Sequence, residues 1–139
     1  MNNSQQMLEA LEQQDLSRAD SFFQKALEED SDEVLLELSA YLEGIGFFPQ
    51  AAQIYEKLAP KFPEVYINLA AIAGEDGLIE DAFDYLEKIG PESEWYVSAL
   101  ALKADLYQME GLTDVAREKL LEARRYSNDP LLIFGLAEL

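Results

Sequence analysis

Apolar residues recur along the chain with the period of an α-helix. From Val34 to Leu42 they fall at positions i, i+3, i+4 and i+7, and similar spacing continues from Val65 to Ile72 and from Val97 to Tyr107. This spacing collects apolar side chains on one face of a helix, and that face must be buried against another element. Strand-like alternation does not persist, and β-branched residues are few. The pattern therefore predicts an all-α fold.

Turn-forming and capping residues divide this pattern into nine predicted helices. Ser17 and Thr113 are suitable N-caps, and Pro49, Pro63 and Pro91 fit the first turn of a helix, where proline needs no backbone donor. Glycines close several of the helices. The predicted helices span residues 3–14, 17–29, 32–44, 49–61, 64–75, 79–89, 93–110, 113–127 and 130–139.

A short motif recurs four times at near-constant intervals. Each copy has an alanine, then an aromatic residue or leucine four positions later, then a small or apolar residue three beyond that. The leading alanines are Ala19, Ala51, Ala82 and Ala116, which lie 32, 31 and 34 residues apart. A period of this length indicates stacked helical units that bury one another's faces. We expect one repeat domain over residues 1–139, with units at about 1–31, 32–63, 64–92 and 93–129 and a partial fifth unit at 130–139.

These units resemble tetratricopeptide (TPR) repeats, helix–turn–helix units of about 34 residues with the pattern W-x2-L-G-x2-Y followed by A-x3-F. The first half of the pattern is matched by Leu35-x2-Leu38-Ser39-x2-Leu42, by Tyr66-x2-Leu69-Ala70-x2-Ala73 and by Leu100-x2-Lys103-Ala104-x2-Tyr107. The third copy departs at Lys103, where the pattern has an apolar residue. The resemblance covers nearly the whole chain. It implies a right-handed α-solenoid of about four antiparallel helix pairs, plus a truncated ninth helix.

Both ends of the chain depart from the repeat. The first helix, around Met7, Leu8 and Leu11, lacks the large aromatic residue and suits an N-terminal cap. The segment from Leu131 to Ala137 is typical of the opening of a fifth unit that stops within its helix. An unpaired apolar helix invites association. We therefore expect an N-terminal fragment of a longer bacterial TPR protein.

The chain is strongly acidic. Its 139 residues include 28 acidic and 10 basic side chains, for a formal net charge of −18 that the two halves share about equally. Such a field disfavours nucleic acid and anionic membranes, which attract clustered Lys and Arg. Four cations, Arg117, Lys119, Arg124 and Arg125, are explained better as partners of nearby glutamates than as a nucleic-acid footprint. Two interpretations stay open: the charge serves solubility, or it selects basic partners.

The residue types that carry most catalytic and metal chemistry are missing. The chain has no histidine and no cysteine, which excludes imidazole bases, thiol nucleophiles and the commonest transition-metal ligands. The acidic run from Glu28 to Glu33 lacks the glycine and distal glutamate of an EF-hand, and it suits the charged start of a helix instead. We predict no enzymatic activity, cofactor or metal, and the lack of cysteine and of a secretory signal favours a cytoplasmic protein.

The TPR resemblance also implies where a partner would bind, because ligands of TPR proteins usually lie in a concave groove lined by the first helix of each unit. Carried over position by position, the groove would present Glu33, Leu36, Ala40 and Glu43, then Glu64, Ile67, Asn68, Ala71 and Glu75, then Ser98, Ala101, Asp105 and Gln108. Its floor would be apolar and its rim acidic. Only Asn68 matches the basic and amide set that clamps a terminal carboxylate, so that mode is disfavoured. Asn68 either holds a peptide backbone or simply packs.

Three functions are compatible with these features. The first is a non-catalytic scaffold that binds a peptide or partner helix, with a preference for basic partners, in the predicted groove. The second is a structural module that self-associates as a homodimer through residues 130–139. The third is a regulator whose curvature responds to a small peptide. The pair Trp95 and Tyr96 leaves a further choice, between packing of units three and four and an exposed binding anchor.

Overall fold

The computed structural model describes residues 1–127, which form eight α-helices and no strand. Each odd-numbered helix packs against the even-numbered helix that follows it, so this part of the chain consists of four helix pairs. The pairing confirms the predicted all-α, TPR-like fold. The predicted ninth helix, residues 130–139, lies outside the described residues. The helices are α1 (Asn3–Glu12), α2 (Leu16–Glu29), α3 (Asp32–Gly44), α4 (Phe48–Leu58), α5 (Val65–Glu75), α6 (Ile79–Glu87), α7 (Tyr96–Met109) and α8 (Thr113–Arg124).

Contacts divide the described residues into two compact units, Met1–Leu58 and a second one that begins at Ala59. The first unit contains α1 to α4, and α1 contacts α3 as well as its own partner α2. The second unit contains α5 to α8, and α7 contacts both helices of the preceding pair. The first helices of successive pairs are therefore neighbours within each unit.

The small residues of the repeat motif lie where the helices of a pair approach closely. The four leading alanines, Ala19, Ala51, Ala82 and Ala116, are 0–2% exposed. Ala70 and Ala82 belong to one buried cluster, and Ala104 and Ala116 to another, because small side chains let the two helix axes approach closely. Ser39 is also fully buried, and its hydroxyl donates a 2.7 Å hydrogen bond to the Leu36 carbonyl of its own helix. The motif is thus a packing motif.

Four predicted helix starts differ from the structure: those of α4 and α5 by one residue each, and those of α2 and α7 because of the local hydrogen bonds of short polar side chains. The side chain of Asp15, not of Ser17, caps α2 by accepting a 3.1 Å hydrogen bond from the Arg18 amide, so α2 begins at Leu16. Helix α7 begins at Tyr96 rather than at residue 93, because the residues after Pro91 form turns in which the Ser93 hydroxyl accepts the Trp95 amide at 3.0 Å. Short polar side chains compete with the helix for nearby backbone donors in this way.

Helix α1 is held at its N-terminus by Asp30, at the end of α2. The Asp30 carboxylate accepts hydrogen bonds from the Ser4 amide at 2.8 Å, the Ser4 hydroxyl at 2.6 Å and the Asn3 side-chain amide at 3.1 Å. Desolvation by burial opposes ionisation of this carboxyl, but the hydrogen bonds from Ser4 and Asn3 outweigh it and lower the pKa of Asp30. A carboxylate at this position also satisfies the positive end of the helix dipole.

The turn between α1 and α2 contains a glutamine in a conformation that glycine usually adopts. Gln14 has φ +60°, whereas the other non-glycine residues of residues 1–127 avoid positive φ. It lies five residues before the repeat alanine of its pair. In the other three pairs the same position is Gly46, Gly77 or Gly111, with φ of +89°, +80° and +80°. Helix α1 therefore ends at Glu12 rather than at the predicted residue 14, with a strained residue in its turn.

Tyr96 links the two buried clusters of the second unit. Its ring packs against the cluster formed by α5, α6 and α7 and also against the cluster formed by α7 and α8. Its hydroxyl donates a 2.6 Å hydrogen bond to Glu122, which, with desolvation, raises the pKa of Tyr96 to about 12. Its ring meets the Tyr126 ring edge-on at 5.2 Å between centroids. For Tyr96, the packing interpretation is confirmed.

Lys103 occupies an apolar position of the repeat and is buried there, with only 7% of its surface exposed. Its Nζ lies 2.8 Å from a carboxylate oxygen of Glu87, whose side chain is 70% exposed. A lysine can take an apolar position in this way because its methylene stem packs in the core while its ammonium reaches a carboxylate at the edge.

Candidate partner-binding surface

The predicted binding residues of the first unit lie on α3 and reach the surface to different degrees. Glu33 and Ala40 are exposed, and Leu36 is partly buried between them. The opposite side of the helix carries Leu35, Leu38 and Leu42, which are 0–2% exposed and hold α3 in place. Glu43, also expected in the groove, instead accepts a 2.8 Å hydrogen bond from the Tyr55 hydroxyl. Desolvation, assisted by this bond, raises the pKa of Tyr55 to about 12.

The predicted residues of the second unit lie on two neighbouring helices. Of those on α5, Glu75 is exposed and the others are partly buried, and Ile67 among them packs against the core cluster of α5, α6 and α7. Those on α7 include Asp105 and Gln108, which are exposed, and Ala101, which is partly buried. Desolvation raises the pKa of Asp105. The full set on and beside α5 comprises Glu64, which immediately precedes the helix, Ile67, Asn68, Ala71 and Glu75.

A cleft between α1 and α3, which the sequence did not indicate, opens on the surface of the first unit. We call it the α1–α3 cleft; its volume is about 540 Å³. A smaller cleft of about 260 Å³ lies beside it, lined by Glu37 and Tyr41 among others. Neither lining includes Glu33, Leu36 or Ala40, because the α3 residues that face α1 lie on another side of the helix. The lining of the α1–α3 cleft is Leu8, Leu11, Glu12, Gln14, Leu16, Tyr41, Ile45 and Phe47.

This lining is unusually apolar for a surface feature. Leu16 is 65% exposed, Tyr41 49% and Ile45 46%, while Leu8 and Leu11 are partly buried. Helix α1 instead buries Ser4, Met7 and Ala10 against its neighbours. The sequence could not show which residues of α1 are buried, because Met7, Leu8 and Leu11 are all apolar and no local signal indicates which of them faces inward. Apolar residues at Leu16 and Ile45, outside the repeat motif, were the available signal.

Cations are confined almost entirely to the second helix of each pair and to the connecting segments, whereas carboxylates lie on both helices. Nine of the ten cations of the chain lie on second helices or in connecting segments, and the tenth, Lys103 on α7, is buried and paired with Glu87. The first helices carry carboxylates without exposed cations. In the first unit, for example, α1 has Glu9 and Glu12, and α3 has Asp32, Glu33, Glu37 and Glu43. The surfaces of α1 and α3 are therefore both apolar and acidic, whereas α5 and α7 carry one carboxylate each, Glu75 and Asp105.

Three carboxylates of the acidic run from Glu28 to Glu33 have structural roles at helix ends. Asp30 binds the N-terminus of α1, and Asp32 and Glu33 lie in the first turn of α3, as the helix-start interpretation of the acidic run predicts for those two. No group of three or more acidic residues in the part of the chain described here is arranged to hold a metal ion. Among the same residues, no helix has the length and apolar character needed to cross a bilayer.

Helix pairs repeating every 31 to 34 residues, with small residues at each buried crossing, define a TPR-like helical-repeat protein. A stretch of 61 residues is 43% identical to the TPR repeat-containing protein YpiA of Bacillus subtilis (strain 168). It covers 43% of this chain and 14% of that protein, so the chain spans only a small part of its relative's length. No family model matches the chain. The predicted TPR resemblance is confirmed, and it indicates a protein-interaction module.

Proposed function

We propose that this chain is a non-catalytic interaction module that binds a basic segment of a partner protein on the first helices of its pairs. The observation that carries the proposal is the lack of exposed cations on these helices within residues 1–127, which leaves accessible apolar and acidic positions there. Complementary charge would steer such a segment to this side of each pair. The predicted residues on α3, α5 and α7 are the proposed contacts, namely Glu33, Leu36, Ala40, Glu64, Ile67, Asn68, Ala71, Ala101, Asp105 and Gln108.

Small side chains support this assignment. Ala40, Ala71 and Ala101 recur on the proposed binding face of α3, α5 and α7. An alanine leaves the helix backbone accessible and gives a bound segment room to lie close to it. The neighbouring acidic side chains would then pair with Lys or Arg of the segment at the rim, where ion pairs contribute to association rate and specificity more than to affinity.

A random peptide library displayed on phage tests the proposal without a known partner. Peptides selected on the whole chain should be enriched in Lys and Arg, and their binding should weaken as salt is raised. Ala40→Arg, on the exposed face of α3, should reduce binding by about tenfold or more. Gln53→Arg, an exposed position on α4 with the same change in charge, is the matched control and should retain binding.

Two results would contradict the proposal. One is selection of acidic peptides as often as basic ones. The other is equal loss of binding in Ala40→Arg and Gln53→Arg, since a general change in net charge would then account for the effect. Circular dichroism of both variants establishes that each is folded before binding is compared.

A further inference from the structure

The α1–α3 cleft is a preformed apolar recess. Its volume of about 540 Å³ lies within the roughly 300–1,000 Å³ typical of ligand-binding clefts. Leu16, Tyr41 and Ile45 on its lining keep about half or more of their surfaces exposed. Exposed apolar side chains gathered around one concavity gain from being covered, whereas singly scattered ones are ordinary surface.

The wall formed by α1 is fixed. Asp30 accepts three hydrogen bonds from Asn3 and Ser4, which hold the N-terminal end of the helix to the end of α2. The Asn2 and Gln5 side chains form a reciprocal capping box at the same end. Met7 and Ala10 are buried against the neighbours of α1, while Leu8 and Leu11 line the cleft. A fixed wall lets the cleft accept a side chain without first ordering its own lining.

The charges around the cleft indicate what kind of segment would fill it. Helices α1 and α3 carry six carboxylates and no cation. The three cations of the first unit are engaged on the second helices: Arg18 and Lys25 lie over the Phe22 ring at 5.5 and 5.4 Å, and the Lys57 ammonium donates to the Leu27 carbonyl. Glu12 lines the α1–α3 cleft, and Glu37 lines the smaller cleft beside it.

We infer that the α1–α3 cleft binds a bulky apolar side chain of a basic partner segment, whose neighbouring Lys or Arg residues pair with Glu12 and Glu37. This inference rests on the proposed function and adds to it a defined anchor site outside the predicted residues. A second copy of the chain fits less well, because its net charge is also −18. The apolar stretch Leu131–Ala137 of this chain fits less well too, since Asp129 and Glu138 flank it.

Three labelled peptides test the chemistry of the occupant by fluorescence anisotropy on the whole chain. The first is an amphipathic peptide of about 14 residues with Leu and Phe at helical spacing and Lys elsewhere. The second replaces each Lys with Glu, and the third replaces each Leu and Phe with Ala. The first should bind, and each of the other two should bind about tenfold more weakly or less. Equal binding of the first and third would overturn the inference, since the cleft would then contribute nothing.

A matched pair of variants tests the location. Leu16→Lys adds a cation at the cleft, while Leu121→Lys makes the same change at an exposed leucine of α8, 46% exposed against 65% for Leu16. Leu16→Lys should weaken binding of the Lys peptide about tenfold, and Leu121→Lys should leave it within about twofold. Equal effects of the two variants would overturn the inference. Leu16→Lys without effect, combined with loss of binding in Ala40→Arg, would overturn it while leaving the proposed function intact.

The two alternative occupants of the cleft, a second copy of the chain and the chain's own terminal segment, each predict a different result. A dimer detected by sedimentation equilibrium that Leu16→Lys dissociates and Leu121→Lys does not would assign the cleft to a second copy and overturn the inference. Tighter binding of the Lys peptide after removal of residues 128–139 would assign the cleft to the chain's own terminal segment and would also overturn the inference. A monomer whose peptide affinity is unchanged by that removal supports the inference.

Discussion

Replacing Gln14 by glycine should stabilise the protein, although it removes a larger side chain from the turn between α1 and α2. Gln14 has φ +60° where the next pair has Gly46 at φ +89°. A residue with a Cβ is strained in this region of backbone conformation, and glycine is not. The perturbation therefore exchanges a strained residue for the one that the other three turns already use.

The magnitude follows from two opposing contributions. The left-handed conformation costs a residue with a Cβ about 1–2 kcal/mol. Glycine loses about 0.4–1 kcal/mol more conformational entropy on folding, which offsets part of the gain. Gln14→Gly should therefore raise the free energy of unfolding by about 0.5–1 kcal/mol. The reverse change, Gly46→Gln, should lower it by a similar amount, since a Cβ built at Gly46 meets no atom within 4 Å and adds no steric cost.

Urea unfolding followed by circular dichroism measures both changes as shifts of the midpoint. Gln13→Gly is the matched control, because Gln13 is the adjacent glutamine but has φ −83°, where glycine relieves no strain, brings its entropic cost and removes the exposed 3.3 Å hydrogen bond that the Gln13 side chain accepts from Arg18. It should destabilise the protein. If Gln14→Gly destabilises it as much as Gln13→Gly, or if Gly46→Gln leaves the midpoint unchanged, the reasoning from backbone conformation is refuted.

Two further predictions concern buried polar contacts, and both are measured by urea unfolding. Lys103→Met should leave the free energy of unfolding unchanged or raise it, because the Glu87 side chain that loses its partner is 70% exposed. Glu87→Gln should lower it by about 1 kcal/mol, which is less than the roughly 3–5 kcal/mol expected when one partner of a fully buried pair is removed. Asp30→Asn should cost about 1 kcal/mol at pH 7 by weakening charge-assisted hydrogen bonds to α1. Because the pKa of Asp30 is lowered in the folded chain, its contribution is present above the ordinary aspartate value of 3.8 and is lost as pH falls through the lower folded value. The difference in unfolding free energy between Asp30→Asn and the unaltered protein should therefore narrow below about pH 4, and a difference that does not change with pH would contradict this assignment. For the pair of Lys103 and Glu87, a Lys103→Met variant that is less stable than Glu87→Gln would contradict the reasoning.

The helix pairs were predictable because their signals are local. The repeat alanines and the apolar period lie within single helices, and burial of Ala51, Ala82 and Ala116 follows from their spacing. The start of α7 was less predictable, since Ser93 stabilises a turn over residues that composition alone would admit to a helix. Whether such a segment forms a turn or a helix depends on which backbone amide the short polar side chain hydrogen-bonds.

The α1–α3 cleft was not predictable from local signals. It exists because packing directs Met7 and Ala10 inward and leaves Leu8 and Leu11 facing α3, a choice that depends on contacts distant in sequence. The link from Ser4 to Asp30, which fixes this orientation, spans 26 residues. The side chains proposed for the partner surface on α3, α5 and α7 come from the TPR resemblance, and their role stays a prediction.

The position of Tyr96 has a consequence for how the second unit opens. Because the ring of Tyr96 on α7 packs against both clusters, the α7–α8 pair cannot detach as a whole without withdrawing this ring from the packing around α5 and α6. Unravelling one pair at a time, as independent repeats would allow, is therefore penalised here. Amide protons of α5 to α8 should exchange with solvent through a shared opening event, so that these two pairs behave as a single cooperative folding element.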